Sequence, residues 1–287
     1  MLSSMKEMLQ TAQANGYAVP HFNVWNVEML EGALDAAVAQ ASPVIISFGT
    51  GFVENTEIDH FVKMMRSMAE AVRIPVAVHW DHGRNFKIVQ HAIDIGFNSV
   101  MIDASANPLS KNIMLTKEVV DAFASKGYPI EAELGHVGAE TTYEDALVNY
   151  QYTDPREAAA FVSATQIDAL AIAIGNMHGT YSSDPCINFE ILQQVRNATD
   201  VPLVLHGASG ISDADIRKAI SIGITKINIH TELGEAGMSA IMENAELSNP
   251  ENYLNLQKKV RKAIQKRAEE KILLFGSSNK ASEEGRF

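Results

Sequence analysis

The chain has 287 residues, 46% of them hydrophobic, one cysteine and a formal net charge of −12. The acidic balance argues against a nucleic-acid or anionic-membrane partner, since either would favour a basic surface. The single cysteine excludes an internal disulfide framework and is typical of a reducing compartment. A chain of this length can bury a substantial core, and α/β barrels of similar length commonly form one domain.

The first ten residues, MLSSMKEMLQ, lack the basic start and the long apolar stretch of a secretion signal. No run of the sequence approaches the ~20 apolar residues of a membrane span. We therefore expect a soluble cytoplasmic protein with no membrane partner.

Eight short runs rich in Val, Ile and Ala alternate with amphipathic helical patterns along the chain. Most of these runs are continuously apolar, which is typical of strands buried on both faces. The predicted strands span 18–24, 43–48, 75–80, 98–103, 129–134, 168–175, 201–206 and 224–229. The predicted helices span 26–41, 56–72, 84–95, 109–126, 154–164 and 212–222, the last two with N-caps at Asp154 and Ser212.

This alternation predicts an α/β fold, a (β/α)8 TIM barrel, as one domain over residues 1–287. A doubly wound open sheet is the alternative, but the number of strands favours the barrel. Residues 250–274 predict an extra basic C-terminal helix, and residues 275–287 form a polar tail that we expect to be loose. Residues 136–152 form a long connection, which is typical of an active-site lid.

Three histidines occupy equivalent positions at predicted strand ends. His82 follows the third strand, His178 follows the sixth and His206 ends the seventh, and a glycine follows each of them. In a parallel barrel, chemistry is found at the C-terminal ends of the strands. Three neutral imidazoles would leave an open coordination position on Zn²⁺, as in catalytic zinc sites. The alternative is three separately hydrogen-bonded histidines, but their shared setting favours the metal.

Carboxylates accompany these histidines. Asp81 adjoins His82, so we expect it to reach the same cavity and to transfer protons. Asp103 ends the fourth predicted strand and Glu133 lies near the end of the fifth. We interpret both as acceptors that orient imidazole N–H groups.

Two loops predict a phosphate site. HGASGIS, residues 206–212, places backbone N–H groups before a helix, and NIHT, residues 228–231, ends the eighth strand before another helix. The loops after strands 7 and 8 often bind phosphate in this fold, because helix N-termini and backbone donors attract anions. Two ordinary helix caps are the alternative. No P-loop or convincing dinucleotide fingerprint is found, so the pattern does not indicate a nucleotide.

The segments PHFNVWN, ASPVII, HWDHG, SVMIDAS, EAELGHVG, NMHGTY, PLVLHGASGI and KINIHTEL resemble the class II, zinc-dependent fructose-bisphosphate and tagatose-bisphosphate aldolases. The resemblance covers nearly the whole chain. It implies Zn²⁺ on His82, His178 and His206, a monovalent cation (Na⁺ or K⁺) near the phosphate, and a homo-oligomer, either dimer or tetramer. It also implies a dihydroxyacetone phosphate site formed by Asn23, Gly179, Gly207, Ala208, Ser209, Asn228, Ile229, His230 and Thr231.

The reaction implied by the resemblance is reversible cleavage of a ketose 1-phosphate or ketose 1,6-bisphosphate to dihydroxyacetone phosphate and an aldehyde. Zinc would act as a Lewis acid for the enediolate that forms. Asp81 would take the C4 hydroxyl proton in cleavage and return it in synthesis, a role typically worth ~10²–10⁴-fold in rate.

The chain departs from the family pattern in two places. Relatives carry a glutamate in a G-G-x-E-D loop after strand 5, whereas GAETTYED places Glu140 one position early and Thr141 in its place; we take Glu140 as the second catalytic acid or base. Relatives also read Q-x-S-x-G-A after strand 2. In SFGTGF, Gly49 replaces the serine that helps to hold a distal phosphate, and Phe52 replaces a small residue. This predicts an aldehyde that is unphosphorylated or otherwise unusual, and a ketose 1-phosphate as the product of joining it to dihydroxyacetone phosphate.

Other functions remain open at this point. A metal-dependent hydrolase on a TIM barrel would need no clamp for dihydroxyacetone phosphate. A non-catalytic sugar-phosphate-binding protein would not need Asp81 beside a metal ligand. A sugar-phosphate epimerase is a weaker alternative. The fold alone does not separate these functions.

Overall fold

The computed structural model describes residues 1–54, 56–137, 150–179, 185–244 and 252–281. Eight parallel strands form a closed barrel in which each strand pairs with the next along the chain and the eighth pairs with the first. The predicted (β/α)8 barrel is confirmed. The strands are β1 (Val19–Asn23), β2 (Val44–Gly49), β3 (Val76–Gly83), β4 (Ser99–Ile102), β5 (Ile130–Leu134), β6 (Ala169–Ile172), β7 (Leu203–Leu205) and β8 (Ile224–Ile229).

The helices lie mainly between consecutive strands, and the seven whose bounds were predicted agree with the prediction within three residues. In the described part of the chain they are α1 (Met5–Asn15), α2 (Val27–Ala39), α3 (Ile58–Ala71), α4 (Phe86–Ile95), α5 (Leu109–Phe123), α6 (Pro155–Thr165), α7 (Phe189–Ala198), α8 (Asp213–Ile222), α9 (Thr231–Glu243) and α10 (Tyr253–Leu274). The sequence reading did not identify α1 or α7. No described helix is long and apolar enough to cross a membrane.

The two predicted N-caps are present. Asp154 accepts the Arg156 N–H at 2.8 Å, and Ser212 Oγ accepts the Asp215 N–H at 3.1 Å. Each such cap satisfies an otherwise unpaired donor and stabilises its helix by about 1 kcal/mol. The one at Ser212 also fixes the start of α8, directly after the predicted phosphate loop.

The inside of the barrel has an apolar lower half. Successive side chains of a strand point to opposite faces, so every second residue points inward. Near the N-terminal ends of the strands these inward residues are apolar, and they form one buried cluster with side chains of α1. The members from α1 are Met5, Met8, Leu9 and Ala12. Helix α1 thus closes the bottom of the barrel.

The upper half of the barrel interior is polar. Continuing the same alternation, four strands each place two polar side chains inward, and all eight are at most 6% exposed. These pairs are His21 and Asn23, His79 and Asp81, Glu131 and Glu133, and Lys226 and Asn228. The carboxyl end of the barrel therefore holds the candidate site.

The C-terminal tail was predicted to be loose over 275–287, and this is wrong for its described part, residues 275–281. The N–H groups of Asn279 and Ala281 donate to carbonyls at the end of α2, at 2.8 and 2.9 Å. Ser277 is fully buried and its hydroxyl pairs with Ser42 at 2.8 Å. Backbone pairing holds this segment despite its polar composition.

The predicted lid connection is described only at its two ends. His136 and Gln151 exchange two backbone hydrogen bonds, at 2.8 and 3.2 Å. The two described ends of the connection are therefore paired with each other. Residues 138–149, which include Glu140 and Thr141, lie outside the described residues.

Candidate functional site

A bulge in β3 brings two adjacent residues to one cavity. The strand was predicted to end at Trp80, but it continues to Gly83, and the register with β4 advances by three residues from Trp80 to Gly83 against two on the partner. His82 has a φ of +54°, in the left-handed region. In a regular strand Asp81 and His82 would point to opposite faces, whereas both line the same cavity here.

Neighbouring groups hold this bulge in place. The Thr50 hydroxyl donates to the carbonyl of His82 at 2.6 Å. A side chain on Gly83 would meet the Met101 carbonyl at 2.7 Å, so β4 passes too close for any other residue there. Sequence reasoning missed Thr50, because a threonine in a glycine-rich loop gives no specific signal.

The cavity at the carboxyl end of the barrel has a volume of about 380 Å³. Most of the predicted site residues line it: Asn23, Asp81, His82, His178, Gly179, Gly207, Ser209, Asn228, His230 and Thr231. His206 is fully buried and is not among them. Ala208 and Ile229 do not line the cavity either; their side chains are buried in the hydrophobic core around the barrel. Any part they take in substrate binding is through the backbone.

The three predicted metal ligands lie together. One ring nitrogen from each of His82, His178 and His206 lies within 4.8 Å of the others. His82 Nε2 and His206 Nδ1 are 3.1 Å apart, and Nε2 of His178 is buried without a hydrogen-bond partner in the described structure. Three converging imidazoles with an unpaired buried nitrogen suit a zinc ion.

The outer nitrogen of His82 contacts Asp103, as the sequence reading proposed. His82 Nδ1 lies 2.9 Å from Asp103 Oδ2, which leaves Nε2 directed at the other histidines. Glu133 differs from the proposed role. Its Oε1 accepts from Ser105 and from the Val137 N–H, both at 3.0 Å, and its Oε2 lies 3.9 Å from His206.

The carboxylate that contacts His206 is Glu131, which the sequence reading did not select. His206 Nε2 donates to Glu131 Oε1 at 2.8 Å, and Glu131 Oε2 lies 2.9 Å from Lys226 Nζ. The same ammonium donates to Asn228 Oδ1 at 2.8 Å. One buried ion pair therefore orients both a candidate metal ligand, His206, and the amide of a predicted substrate-binding residue, Asn228. The signal was available: Glu131 and Lys226 each precede a site residue by two positions.

The charge states in this region favour a cation. Burial lowers the pKa of His178 and of His206, so both imidazoles are neutral and free to bind a metal. Burial acts the same way on His82, but the carboxylates of Asp81 and Asp103 outweigh it and raise the pKa of His82 to about 10. The field that holds a proton on His82 also attracts a metal ion in its place.

The wall opposite β3 is formed by the two predicted phosphate loops. Gly207 has a φ of +56°, and a Cβ there would lie 2.1 Å from the Met177 carbonyl, so only glycine is accommodated. Ser209 and Thr231 also face the cavity. Thr231 is the first residue of α9, whose N-terminus supplies backbone donors and a favourable dipole for an anion.

The remaining wall is aromatic. The Phe52 ring lies 5.0 Å from the Trp25 ring and 5.1 Å from the His230 ring, centre to centre. A Cβ on Gly49 would lie 3.2 Å from Cε2 of Phe52. The Phe52 ring therefore adjoins the space that a larger residue at position 49 would need.

Comparison with known proteins shows the family of this chain. The family profile described as fructose-bisphosphate aldolase class-II matches residues 3–280. YdjI of Escherichia coli K12 is 57% identical over 281 residues, which cover 98% of this chain and 100% of that protein. A fructose-bisphosphate aldolase of Staphylococcus aureus is 41% identical over 289 residues, covering 98% of this chain and 99% of that enzyme.

A solved structure gives the same result. The X-ray structure of the YdjI aldolase from Escherichia coli K12 matches with a TM-score of 0.89 at 53% identity, covering 98% of this chain and 100% of that one. The matches favour an aldolase over the hydrolase, the epimerase and the binding protein. The chain belongs to the class II fructose-bisphosphate aldolase family and is a carbon–carbon lyase.

Proposed function

We propose that the protein is a zinc-dependent aldolase that reversibly joins dihydroxyacetone phosphate to an unphosphorylated aldehyde, giving a ketose 1-phosphate. The observation that carries the proposal is the division of one cavity into three walls. One wall has His82 and His178 beside Asp81, with His206 buried next to them; one has two backbone loops at a helix start, and one is aromatic.

The residues that would hold the metal are His82, His178 and His206. A zinc ion bound by them would supply a Lewis acid for the negative charge that develops on the substrate oxygens. Glu131 fixes the ring orientation of His206 through the bond to Nε2, and Asp103 does the same for His82 through Nδ1. Such partners hold the tautomer and the aim of each ligand.

Asp81 is placed to transfer the C4 hydroxyl proton. Its Oδ2 accepts from the Asn23 amide at 2.8 Å and lies 3.7 Å from His21 Nε2. Its Oδ1 has no hydrogen-bond partner in the described structure, and the residue lines the cavity. In cleavage Oδ1 takes the C4 hydroxyl proton as the C3–C4 bond breaks, and in synthesis it returns that proton.

The second proton transfer, at the carbon that becomes C3, needs another acid or base. Glu140 stays our prediction for this role, and it lies outside the described residues. The described ends of its connection, at His136 and Gln151, adjoin the site through Ser105, whose hydroxyl lies 2.8 Å from His136 and 3.0 Å from Glu133.

We assign dihydroxyacetone phosphate to the wall of Gly179, Gly207, Ser209 and Thr231. Backbone N–H groups and hydroxyls are suited to phosphate oxygens, and the N-terminus of α9 adds a favourable dipole. The proposal also includes a Na⁺ or K⁺ near the phosphate. This cation would offset negative charge on this acidic protein.

The aromatic wall supports an uncharged aldehyde. Among the described residues no Lys or Arg lines the cavity. A basic side chain of the C-terminal helix α10, Arg261, does not line the cavity and pairs with Glu31 at 2.6 Å and Asp35 at 2.5 Å. A second phosphate would therefore meet Phe52 where a binding group is needed.

The first experiment follows hydrogen exchange of dihydroxyacetone phosphate in D₂O by NMR. Stereospecific loss of one hydroxymethyl proton signal, stopped by a chelator and restored by zinc, is the expected result. No exchange in a verified zinc-loaded sample would contradict the proposed half-reaction.

The aldehyde is tested next, by comparing kcat/KM for glyceraldehyde and glyceraldehyde 3-phosphate. We expect at least about tenfold preference for the unphosphorylated form, which corresponds to about 1.4 kcal/mol. Equal values for the two aldehydes would remove the assignment of the aromatic wall and leave the aldolase assignment intact.

A further inference from the structure

The C-terminal helix α10 reaches the proposed phosphate wall through one carboxylate. Lys271 of α10 is only 7% exposed, and its Nζ lies 2.6 Å from Glu232 Oε1. Arg267, one turn earlier, lies 3.4 Å from Glu232 Oε2. A lysine is seldom buried without a charged partner, so this one has a specific structural partner.

Glu232 contacts the phosphate loop on its other side. Its Oε1 accepts the backbone N–H of Gly210 at 3.3 Å, and its own N–H donates to Ser209 Oγ at 3.4 Å. Ser209 lines the cavity, and Gly210 has a φ of +90° in the turn that follows. Glu232 is thus the link between α10 and the loop.

The charge of Glu232 is poorly placed unless it is neutralised. Glu232 is the second residue of α9, directly after Thr231, which faces the cavity. A carboxylate in the first helical turn stabilises the helix, but it repels a phosphate dianion bound at the same helix end. Lys271 and Arg267 supply the positive charge that offsets it.

We propose that Glu232 and Lys271 are positioning residues for phosphate recognition: the pair holds Ser209 and Gly210 in place and cancels the carboxylate charge beside the phosphate. The inference rests on the proposed phosphate wall. It gives α10 a part in substrate binding although Lys271 and Arg267 do not line the cavity. The α10 helix lies outside the eight βα units that build the barrel.

Three variants separate charge from shape. Lys271→Met leaves Arg267 as the remaining cation at the Glu232 carboxylate, and we expect the KM for dihydroxyacetone phosphate to rise at least about tenfold, because the carboxylate then repels the phosphate. Glu232→Gln keeps an acceptor for the Gly210 N–H and removes the negative charge beside the phosphate, so we expect a change within about threefold. Lys271→Met combined with Glu232→Gln should return the KM to within about threefold of the wild type, since no carboxylate is left beside the phosphate.

The matched control is Lys266→Met, the same substitution at an exposed lysine of the same helix. It should leave the KM unchanged. Zinc content and kcat at saturating substrate should be unchanged in Lys271→Met, because neither residue contacts the proposed zinc ligands. A general packing defect would instead lower stability and kcat in both Lys271 variants, and Glu232→Gln would not rescue it.

Calorimetry with inorganic phosphate on the zinc-loaded protein tests the phosphate wall and the positioning role of Glu232 and Lys271 separately. Wild type that binds no phosphate contradicts the phosphate wall itself, and with it this inference. Wild type that binds phosphate, with Lys271→Met equal to it or not rescued by Glu232→Gln, overturns the positioning role alone. Weakened binding in Lys271→Met with rescue in the double variant supports it.

Discussion

The lower and upper halves of the barrel interior are built on one alternation and have opposite chemistry. Below, the inward side chains are apolar and pack on α1; above, they are His, Asn, Asp, Glu and Lys. Both halves are paired as parallel strands, and the bulge in β3 lies in the upper one. The difference shows that the apolar half can stabilise the fold while the polar half supplies the groups for the reaction, as is general for barrels of this kind.

Asp81→Asn tests the upper half with the largest expected effect. The amide cannot take the proton of the C4 hydroxyl, so kcat for cleavage should fall ~10²–10⁴-fold. Steady-state kinetics measure the loss, and metal analysis should find the same zinc content as in the wild type. Exchange of dihydroxyacetone phosphate in D₂O should be retained, since it does not need this proton. A variant within tenfold of wild-type kcat would contradict the role of Asp81.

Leu9→Ala tests the lower half. Leu9 is fully buried between α1 and the barrel floor, and its truncation should lower the free energy of unfolding by ~2–5 kcal/mol. Urea unfolding measures this change. Below the transition, kcat and KM should match the wild type. Leu254→Ala, at a side chain that is 60% exposed, is the control and should change stability by less than about 0.5 kcal/mol. A changed KM in Leu9→Ala would show that the two halves are coupled.

Glu131→Gln acts at the boundary between the halves. The neutral amide loses the charge that holds Lys226 and weakens the bond that aims His206. Zinc affinity, measured by competition with a chelating dye, should fall ~10–100-fold. Glu70→Gln, at an exposed glutamate of α3, is the matched control. Unchanged affinity in Glu131→Gln would mean that His206 needs no fixed orientation.

The smallest effect is expected at the aromatic wall. Gly49→Ser alone should lower activity with both aldehydes, because its Cβ would lie 3.2 Å from the Phe52 ring. Adding Phe52→Ala should relieve the contact and raise kcat/KM for glyceraldehyde 3-phosphate about tenfold relative to glyceraldehyde. Competition between the two aldehydes in one reaction measures the ratio directly. An unchanged ratio would show that this wall does not select the aldehyde.

Much of the fold was predictable, because the strands are continuous apolar runs and most helices have strong apolar stripes. Helix α7 was missed although its buried residues, Leu192 and Val195, lie on one face at helical spacing. Helix α1 has buried residues at helical spacing, from Met5 to Ala12. It was missed because no predicted strand precedes it and its other residues are mostly polar. The tail after Phe275 was misjudged because composition does not reveal backbone pairing.

The sequence predicted that the three candidate metal ligands and the two candidate phosphate loops lie near one another, and the structure brings them together, since strand ends converge in a parallel barrel. The supporting residues were less visible. Glu131 and Lys226 follow from the alternation once a site residue two positions later is known. Asp81 beside His82 does not follow from it: the alternation places the two on opposite faces, and only the bulge in β3 brings them together.

The backbone at His82 has a consequence for metal selectivity at the proposed zinc site. With a φ of +54°, this position accepts few residue types, and histidine, aspartate and asparagine adopt such angles far more readily than most. His178 and His206 have no positive φ. Attempts to engineer a different metal preference by exchanging ligands therefore have freer choice at those two positions, whereas at His82 a glutamate or cysteine would also have to bear the cost of an unfavourable backbone.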